Sequence, residues 1–267
     1  MDRSHEGSST ENTSAEKTAI LEGSPNPSAS EAAQPRKALV LCSGGIDSTT
    51  LLALVVERYG AHNVYALSIF YGQKHDRELE AAKQIARYYG VEQRFLDLAP
   101  LFAESDCSLL AASSEQIPHE TYASQLKQEE GGPVSTYVPF RNGLFLSSAA
   151  SIALSLGCQV VCYGAHADDW AGCAYPDCSQ EFVDAMATAI DQGTGGQLQL
   201  AAPFVQWSKA HIVKEGLKRG VPYELTWSCY EGGAEPCGTC GTCLDRQRAF
   251  ELNGVVDPLI SSLIKKG

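Results

Sequence analysis

The stretch LVLCSGGIDSTTLLAL (residues 39–54) decides how this chain folds. Its first four residues are apolar without the alternation of a half-solvated strand, which predicts a buried parallel strand. Gly44 and Gly45 follow, and then Asp47 and Ser48 stand where a helix would place its N-cap. A strand, a glycine turn and a helix start direct free backbone N–H groups and the positive end of a helix dipole at one point. This arrangement indicates a phosphate-binding site.

The spacing of the glycines narrows the kind of phosphate site. There is no Gly-x-Gly-x-x-Gly and no Lys after the second glycine, which argues against the dinucleotide fingerprint and against a Walker A loop. SGGIDS (residues 43–48) resembles the PP-loop of ATP pyrophosphatases, and the resemblance implies that the turn binds the β- and γ-phosphates of ATP. A tight turn without a ligand is the alternative interpretation.

Length, composition and charge set the class of protein. The chain has 267 residues, of which 44% are hydrophobic and 19% charged, so it can form one globular domain with at most a small appendage. A net charge of −12 argues against binding mainly to nucleic-acid phosphates and favours a small-molecule substrate. No apolar run approaches the ~20 residues of a membrane span, and a hydrophobic signal core is absent. We therefore expect a cytoplasmic protein without membrane contact, whose ten cysteines are thiols or metal ligands.

The remaining sequence predicts alternating strands and helices. Residues 1–35 are polar and small and are expected to form a disordered tail. Further strands are predicted at 64–70, 93–98 and 158–164, and helices at 78–89, 144–156, 182–190 and 208–219. This order predicts an open, mostly parallel, Rossmann-like α/β sheet with helices on both faces. We expect an ATP-binding domain over 36–225, including a lid at 99–135, and a zinc-binding segment with the final helices over 226–267.

Several polar side chains follow the predicted strands, where ligands bind in such sheets. Tyr71 and His75 follow the second strand, and each contacts substrate or packs its own loop. Arg141 precedes a long helix and can hold a carboxylate or phosphate with two hydrogen bonds, whereas Asn142 is an N-cap or a purine reader. Lys209 lies in the first turn of a helix, where its charge opposes the dipole, so we expect it to hold an anion rather than remain merely exposed.

Paired carboxylates follow the strand predicted at 158–164. Asp168 and Asp169 are adjacent, and two acids at one strand end are costly unless a cation shares them. Mg²⁺ is the natural partner of such carboxylates. Solvated loop acids are the alternative interpretation.

Four cysteines near the C-terminus form the second strong pattern. Cys229, Cys237, Cys240 and Cys243 stand at spacings of eight, three and three. Two overlapping Cys-x-x-Cys pairs on glycine-rich loops can surround one tetrahedral ion, which favours a closed, structural Zn²⁺ site. A [4Fe–4S] cluster also takes four thiolates and is the rival interpretation. A disulfide is disfavoured by the expected compartment.

The order of the motifs supports a specific resemblance. SGGIDSTT, YGQKH, YVPFRN, GAHADD, YPDC, SKAHIVKEG, SCY and CGTCGTC occur in this sequence between about residues 37 and 257. Together they resemble the 7-cyano-7-deazaguanine synthase (QueC) family, ATP-dependent ligases that convert 7-carboxy-7-deazaguanine and ammonia to the nitrile for queuosine or archaeosine. One departure is Ser179, where the family usually has Arg, so an anion contact made there is missing or comes from another residue such as Arg141.

The resemblance also assigns roles to individual residues. With the observations above, we expect a homodimer that uses ATP, Mg²⁺ and Zn²⁺ and does not bind nucleic acid directly. The zinc ligands would be the four cysteines above. The resemblance further implies that ATP is held by Ser43, Gly44, Gly45, Asp47, Ser48 and Thr49, and we expect Ile46 and Thr50 to belong to the same site. We expect catalysis to be supported by Asp47, Lys209 and Arg141. The residues expected to hold the substrate are Tyr71, His75, Arg141, Asn142, Asp168, Tyr175 and Asp177.

Two other functions remain open at this point. A PP-loop sulfur transferase that modifies tRNA would need Cys173 and Cys178 to carry a persulfide. A zinc-ribbon protein that binds nucleic acid without chemistry is the alternative of another class. The acidic balance and the lack of a Lys/Arg cluster around Cys237 and Cys243 count against it.

Overall fold

The computed structural model describes residues 36–128 and 133–264. The predicted disordered tail over residues 1–35 therefore lies outside the described residues. Among the described helices, none is both long and apolar enough to cross a bilayer.

Five parallel strands form the central sheet in the order β3-β2-β1-β4-β5. The strand from the opening stretch occupies the middle, because its consecutive apolar residues are buried on both sides of the sheet. The predicted open parallel α/β sheet is confirmed. The strands are β1 Ala38–Leu41, β2 Val64–Phe70, β3 Glu92–Asp97, β4 Val160–Cys162 and β5 Gln199–Ala201.

Helices cover both faces of the sheet, and successive residues of β1 point to opposite sides. Val40 packs against Leu51 and Ile85 on one face, whereas Leu39 packs with Leu146 and Val183 on the other. The described α-helices are α1 Ile46–Tyr59, α2 Arg77–Tyr89, α3 Tyr122–Gln128, α4 Arg141–Ser155, α5 Ala167–Trp170, α6 Gln180–Gly193, α7 Lys209–Lys218, α8 Gly241–Glu251 and α9 Pro258–Ile264.

Several elements depart from the sequence-based expectations, among them the short helices α3 and α5, which were not predicted. Strand β5 was not predicted, because three residues are too few to display a period. Helix α4 begins at Arg141, three residues before the predicted start at 144, since the first turn carries polar side chains that interrupt the apolar pattern. Arg141 and Asn142 therefore lie inside the first turn of α4, at the same edge of the sheet as the glycine turn.

The segment predicted to be a lid packs on the domain along part of its length. Leu109, Leu110 and Ile117 are buried in the core. The backbone N–H of Lys74 donates to the oxygen of Leu109 at 3.0 Å. Movement of residues 99–135 as a lid stays a prediction.

The C-terminal segment shares the main core. Trp227, Cys229 and Leu259 belong to the same buried cluster as Leu51. Arg246 is buried and bonds the carboxylate of Asp257 at 2.6 and 2.8 Å. The division between 36–225 and 226–267 stays a prediction, and apolar contacts run across it.

Candidate active site and metal centre

The glycine turn between β1 and α1 leaves room for a ligand. Gly44 has φ +91°, and a Cβ at this position would collide with the backbone oxygen of Glu78. Helix α1 begins after Gly45 without a side-chain cap, so the N–H groups of its first turn are not capped by a side chain. Their direction and the helix dipole together suit an anion.

The predicted nucleotide-binding residues divide into two groups. Ser43, Gly45, Ile46, Asp47 and Ser48 line a cavity at the carboxyl ends of the strands, and the Ser43 and Ser48 hydroxyls are 3.1 Å apart.

Gly44, Thr49 and Thr50 do not line this cavity. The Thr49 hydroxyl donates to the oxygen of Gly45 at 2.7 Å, and the Thr50 hydroxyl lies 2.7 Å from that of Tyr223. The hydroxyls of these two threonines stabilise the start of the helix and do not face the cavity.

A cluster of buried charges stands beside the turn. The Lys209 Nζ lies 3.5 Å from an oxygen of Asp47. The His166 Nε2 lies 3.5 Å from the same Asp47 oxygen and 3.3 Å from an oxygen of Asp169. The side chains of His166 and Lys209 are 1% and 12% exposed. Four charged groups from α1, α5, α7 and the end of β4 therefore converge on one point.

The charges in this cluster stabilise one another. Burial opposes ionisation of Asp47, yet Lys209 and His166 hold the pKa of its carboxyl well below the ordinary value. Burial also opposes the charge on Lys209 and on His166. The negative charges of the neighbouring carboxylates, Asp47 and Asp169, outweigh the effect of burial and raise the pKa of Lys209 and of His166. The lowered pKa of Asp47 and the raised pKa of Lys209 keep these two groups charged at neutral pH.

One carboxylate oxygen of this cluster is left free for a ligand. The Asp47 Oδ1 is buried and has no hydrogen-bond partner within residues 36–128 and 133–264. Asp169 offers a second carboxylate to the same space. A free buried oxygen beside another carboxylate is the donor set that Mg²⁺ prefers, so these residues fit a divalent cation.

Arg141 lies on an aromatic wall of the cavity. Its guanidinium stacks 5.2 Å from the Tyr71 ring and 5.9 Å from the Phe145 ring. Burial opposes its charge, but neighbouring groups, Tyr71 first among them, keep the pKa of Arg141 above its ordinary value. A buried guanidinium that faces the cavity can bind a carboxylate in two places.

Asp177 positions the start of α4 without lining the cavity. Its carboxylate accepts the backbone N–H of Asn142 at 2.9 Å. The Asn142 side-chain amide donates to the backbone oxygen of Asp177 at 3.3 Å. Burial raises the pKa of Asp177, and the Asn142 N–H opposes this shift. Asn142 itself lines the cavity.

Three other predicted substrate-binding residues lie off the cavity. Asp168 accepts the backbone N–H of Lys209 at 2.8 Å and so caps α7, while Asp169 takes the cavity position. Tyr175 is buried, and its hydroxyl lies 2.6 Å from that of Thr136. His75 packs against Gly232, in the segment that carries the four cysteines.

Ser179, the residue that departs from the family pattern, has a local structural role. Its hydroxyl accepts the backbone N–H of Phe182 at 3.1 Å and caps α6.

Sequence reasoning missed several cavity-lining residues. Glu78 lies in the first turn of α2, where an acid is expected for the helix dipole alone. Burial raises the pKa of Glu78 to about 7. The other missed residues are Gln73, Tyr122, Phe145, Tyr163, Trp227, Tyr230 and Thr242. Only Asp169 carried a usable signal, as the second acid of an adjacent pair.

The four cysteines converge as the spacing predicted. The sulfur atoms of Cys229, Cys237, Cys240 and Cys243 lie within 4.8 Å of one another. The backbone N–H groups of Cys237 and Cys240 donate to the sulfurs of Cys229 and Cys237, each at 3.3 Å. Such bonds favour thiolates, and three of the residues are buried. The donor set fits a tetrahedral metal ion.

The same segment builds one wall of the cavity. The backbone N–H of Trp227 donates to the oxygen of Gly44 at 3.0 Å, and its indole N–H donates to the oxygen of Cys229 at 2.9 Å. The Tyr230 hydroxyl lies 2.8 Å from that of Tyr122. The cysteine cluster is thus two hydrogen bonds away from the glycine turn.

Comparison with known proteins identifies the family. The family model described as queuosine biosynthesis protein QueC matches residues 37–254. The chain is 44% identical over 226 residues to the 7-cyano-7-deazaguanine synthase of Archaeoglobus fulgidus, which covers 84% of this chain and 90% of that protein. The corresponding protein of Caldicellulosiruptor saccharolyticus is 44% identical over 84% of this chain and 94% of its own length.

A third relative, from Oceanobacillus iheyensis, carries the same name. It is 40% identical over 226 residues, with 84% of this chain and 97% of that protein covered. The matched region contains the glycine turn, the charged cluster, Arg141 and all four cysteines. The chain therefore belongs to the QueC family of queuosine biosynthesis proteins.

Proposed function

We propose that this protein is an ATP-dependent ligase that converts 7-carboxy-7-deazaguanine and ammonia to 7-cyano-7-deazaguanine. One observation carries the proposal. The glycine turn with Lys209 and the partly buried Arg141 open into the same cavity. An ATP diphosphate bound at the turn and a carboxylate bound at Arg141 would be neighbours, which is what attack on the α-phosphorus requires.

Each step of the reaction needs a good leaving group rather than an enzyme nucleophile. The substrate carboxylate attacks the α-phosphorus, pyrophosphate leaves, and an acyl-adenylate forms. Ammonia then displaces AMP and loses a proton to give the amide. The amide oxygen attacks the α-phosphorus of a second ATP, and pyrophosphate leaves. Loss of AMP, which takes the amide oxygen, and of the two N–H protons gives the nitrile. Two ATP are cleaved for each nitrile.

The residues of the cavity supply position and charge. Arg141 would hold the substrate carboxylate, and Tyr71 and Phe145 hold Arg141 against the wall. Lys209 and the free N–H groups at the start of α1 would hold the diphosphate and the charge that develops on it. Asp47 and Asp169 would hold Mg²⁺, which supplies neutralisation of phosphate charge when bound.

The four-cysteine cluster is proposed to hold a structural Zn²⁺. Four thiolates leave no open position for catalysis. The ion would fix the loop that carries Trp227 and Tyr230, and through them part of the cavity wall.

The two alternative functions are not favoured by the family comparison, because the relatives are named as the nitrile-forming synthase. Cys173 is exposed and Cys178 is buried beside Asn142. A cytoplasmic location, a homodimer and ammonia as the amine donor stay predictions.

The test is direct. The purified protein is incubated with ATP, Mg²⁺, ammonium and 7-carboxy-7-deazaguanine, and the products are measured by mass spectrometry. We expect the nitrile and two AMP per nitrile, with the amide as a transient species. Formation of a thiolated product from a sulfur donor, with no nitrile, would overturn the proposal.

A further inference from the structure

Glu78 is an acidic side chain that faces the cavity without a direct partner. It lines the cavity and is partly buried. Within the part of the chain that the structure describes, no hydrogen bond or ion pair of its carboxylate is found. Glu80, two residues along the same helix, is exposed and pairs with Lys83 at 3.4 Å. Burial of an unpaired acid is costly, so the position is suited to an acid that acquires its partners from a ligand.

The surroundings of Glu78 define the shape of that ligand. Tyr71, Phe145, Trp227 and Tyr230 line the same cavity, so aromatic side chains form much of its apolar wall. Arg141 adds one cation to this part of the cavity. A planar ligand with a negative group and a separate edge of N–H donors is complementary to such walls.

The proposed substrate has these features. A 7-carboxy-7-deazaguanine carries its carboxylate on the five-membered ring. It carries two adjacent N–H donors, the ring N1–H and the 2-amino group, on the six-membered ring. A carboxylate can accept both donors at once, as it does from the two N–H groups of a guanidinium. Adenine offers an amino group beside a ring nitrogen that is itself an acceptor, so the same carboxylate would repel it.

We propose that Glu78 is the specificity-determining residue that accepts the N1–H and 2-amino groups of the deazaguanine base. The inference rests on the proposed function and assigns an orientation within it. The carboxylate end of the base lies at Arg141 and the N–H edge at Glu78. The glycine turn and Lys209 are left for the diphosphate of ATP. Each of the two substrates then has its own set of recognition groups.

The experiment compares two substrates and three proteins. Nitrile or amide formation is measured for wild type, Glu78→Gln and Glu80→Gln. The substrates are 7-carboxy-7-deazaguanine and its analogue that lacks the 2-amino group. Wild type should prefer the amino-bearing substrate by about 10²-fold in kcat/KM, the scale of a lost hydrogen bond to a charged group. Glu78→Gln should raise the KM for this substrate and reduce the preference about tenfold or more, since its amide NH2 opposes one donor.

Two further measurements distinguish base recognition by Glu78 from other roles of this residue. The KM for ATP should change less than about threefold in Glu78→Gln, and Glu80→Gln should match wild type on both substrates. A wild-type preference in Glu78→Gln would overturn the inference. So would a raised KM for ammonium with the preference unchanged, because Glu78 would then act on ammonia. Failure of wild type to form any nitrile or amide would instead contradict the proposed function.

A second variant covers the case in which Glu78→Gln does not fold. Glu78→Asp keeps the charge but withdraws the carboxylate by one methylene. We expect it to raise the KM for 7-carboxy-7-deazaguanine about tenfold, by weakening two hydrogen bonds, while leaving the KM for ATP near that of wild type. A KM for the base equal to that of wild type would overturn the inference.

Discussion

The two sides of the cavity are built on opposite principles. At the glycine turn, buried charged groups are held close together but keep free atoms, such as Asp47 Oδ1. At the cysteine cluster, backbone N–H groups already donate to the sulfurs of Cys229 and Cys237. The first side is arranged to receive ligands that come and go, whereas the second is arranged to enclose one ion. The groups proposed to act on the substrates and the groups proposed to hold a structural ion thus lie in different parts of the site.

The two sides are nevertheless joined. The bond from the Trp227 N–H to the oxygen of Gly44 connects the cysteine segment to the turn. His119 connects the cysteine segment to residues 99–135 instead, since its ring nitrogens lie 2.6 Å from the Thr239 hydroxyl and 2.9 Å from the Glu231 carboxylate. Loss of the metal should therefore disturb the glycine turn, whereas substitutions in the charged cluster should leave the metal bound.

The strongest test of this separation removes a charge from the glycine-turn side. In Lys209→Ala, turnover should fall about 10²-fold or more, because a group that holds the diphosphate is lost. The zinc content should stay that of wild type. AMP release and metal analysis measure the two quantities. Lys218→Ala is the control, since Lys218 lies on the same helix, is exposed and pairs with Glu215. Full activity in Lys209→Ala would contradict the assignment.

A substitution at the cysteine cluster should lower the stability of the fold before it affects catalysis. Cys240→Ala should lower the zinc content from about one ion per chain, and the free energy of unfolding by about 4 kcal/mol or more, as is typical when a structural metal is lost. Metal analysis and denaturant unfolding measure these effects, with the exposed Cys173→Ser as control. Iron with sulfide in the purified protein would show that the cluster is not a zinc site.

Two further cysteines test whether chemistry is confined to the glycine-turn side. In a ligase, Cys173→Ala should retain activity within about twofold. Cys178→Ala should retain it within about tenfold, because Cys178 lines the cavity and contacts Asn142 at 3.3 Å but is not a nucleophile in the proposed reaction. Nitrile formation is measured for both. A variant that is folded and zinc-loaded but inactive would move the assignment to sulfur transfer.

The smallest effect concerns a residue that belongs to neither side. Ser179→Ala removes the side-chain cap of α6 and should lower the free energy of unfolding by about 1 kcal/mol. Turnover should change little, since Ser179 makes no contact in the cavity. Urea unfolding and AMP release report the two. A large loss of turnover at unchanged stability would give Ser179 a role in the site.

The local sequence was sufficient to predict most of the fold, the glycine turn and the cysteine cluster. The apolar run of β1 is contiguous, and the glycines and the start of α1 follow it directly, so strand, turn and helix can be read within 16 residues. The cysteine ligands Cys237, Cys240 and Cys243 are also close in sequence, and their spacing alone fixes how they can meet. In both cases, the physical constraint acts between neighbours along the chain.

The tertiary structure decided which polar side chains face the cavity. Asp168 and Asp169 are equivalent in sequence, but capping of α7 takes the first and leaves the second beside His166. Glu78 has the sequence context of an ordinary first-turn acid, and only the packing of α2 under Gly44 brings it to the cavity. Strand β5 forms because β4 supplies partners for its backbone. These outcomes depend on contacts between residues far apart in sequence, which a local pattern does not contain.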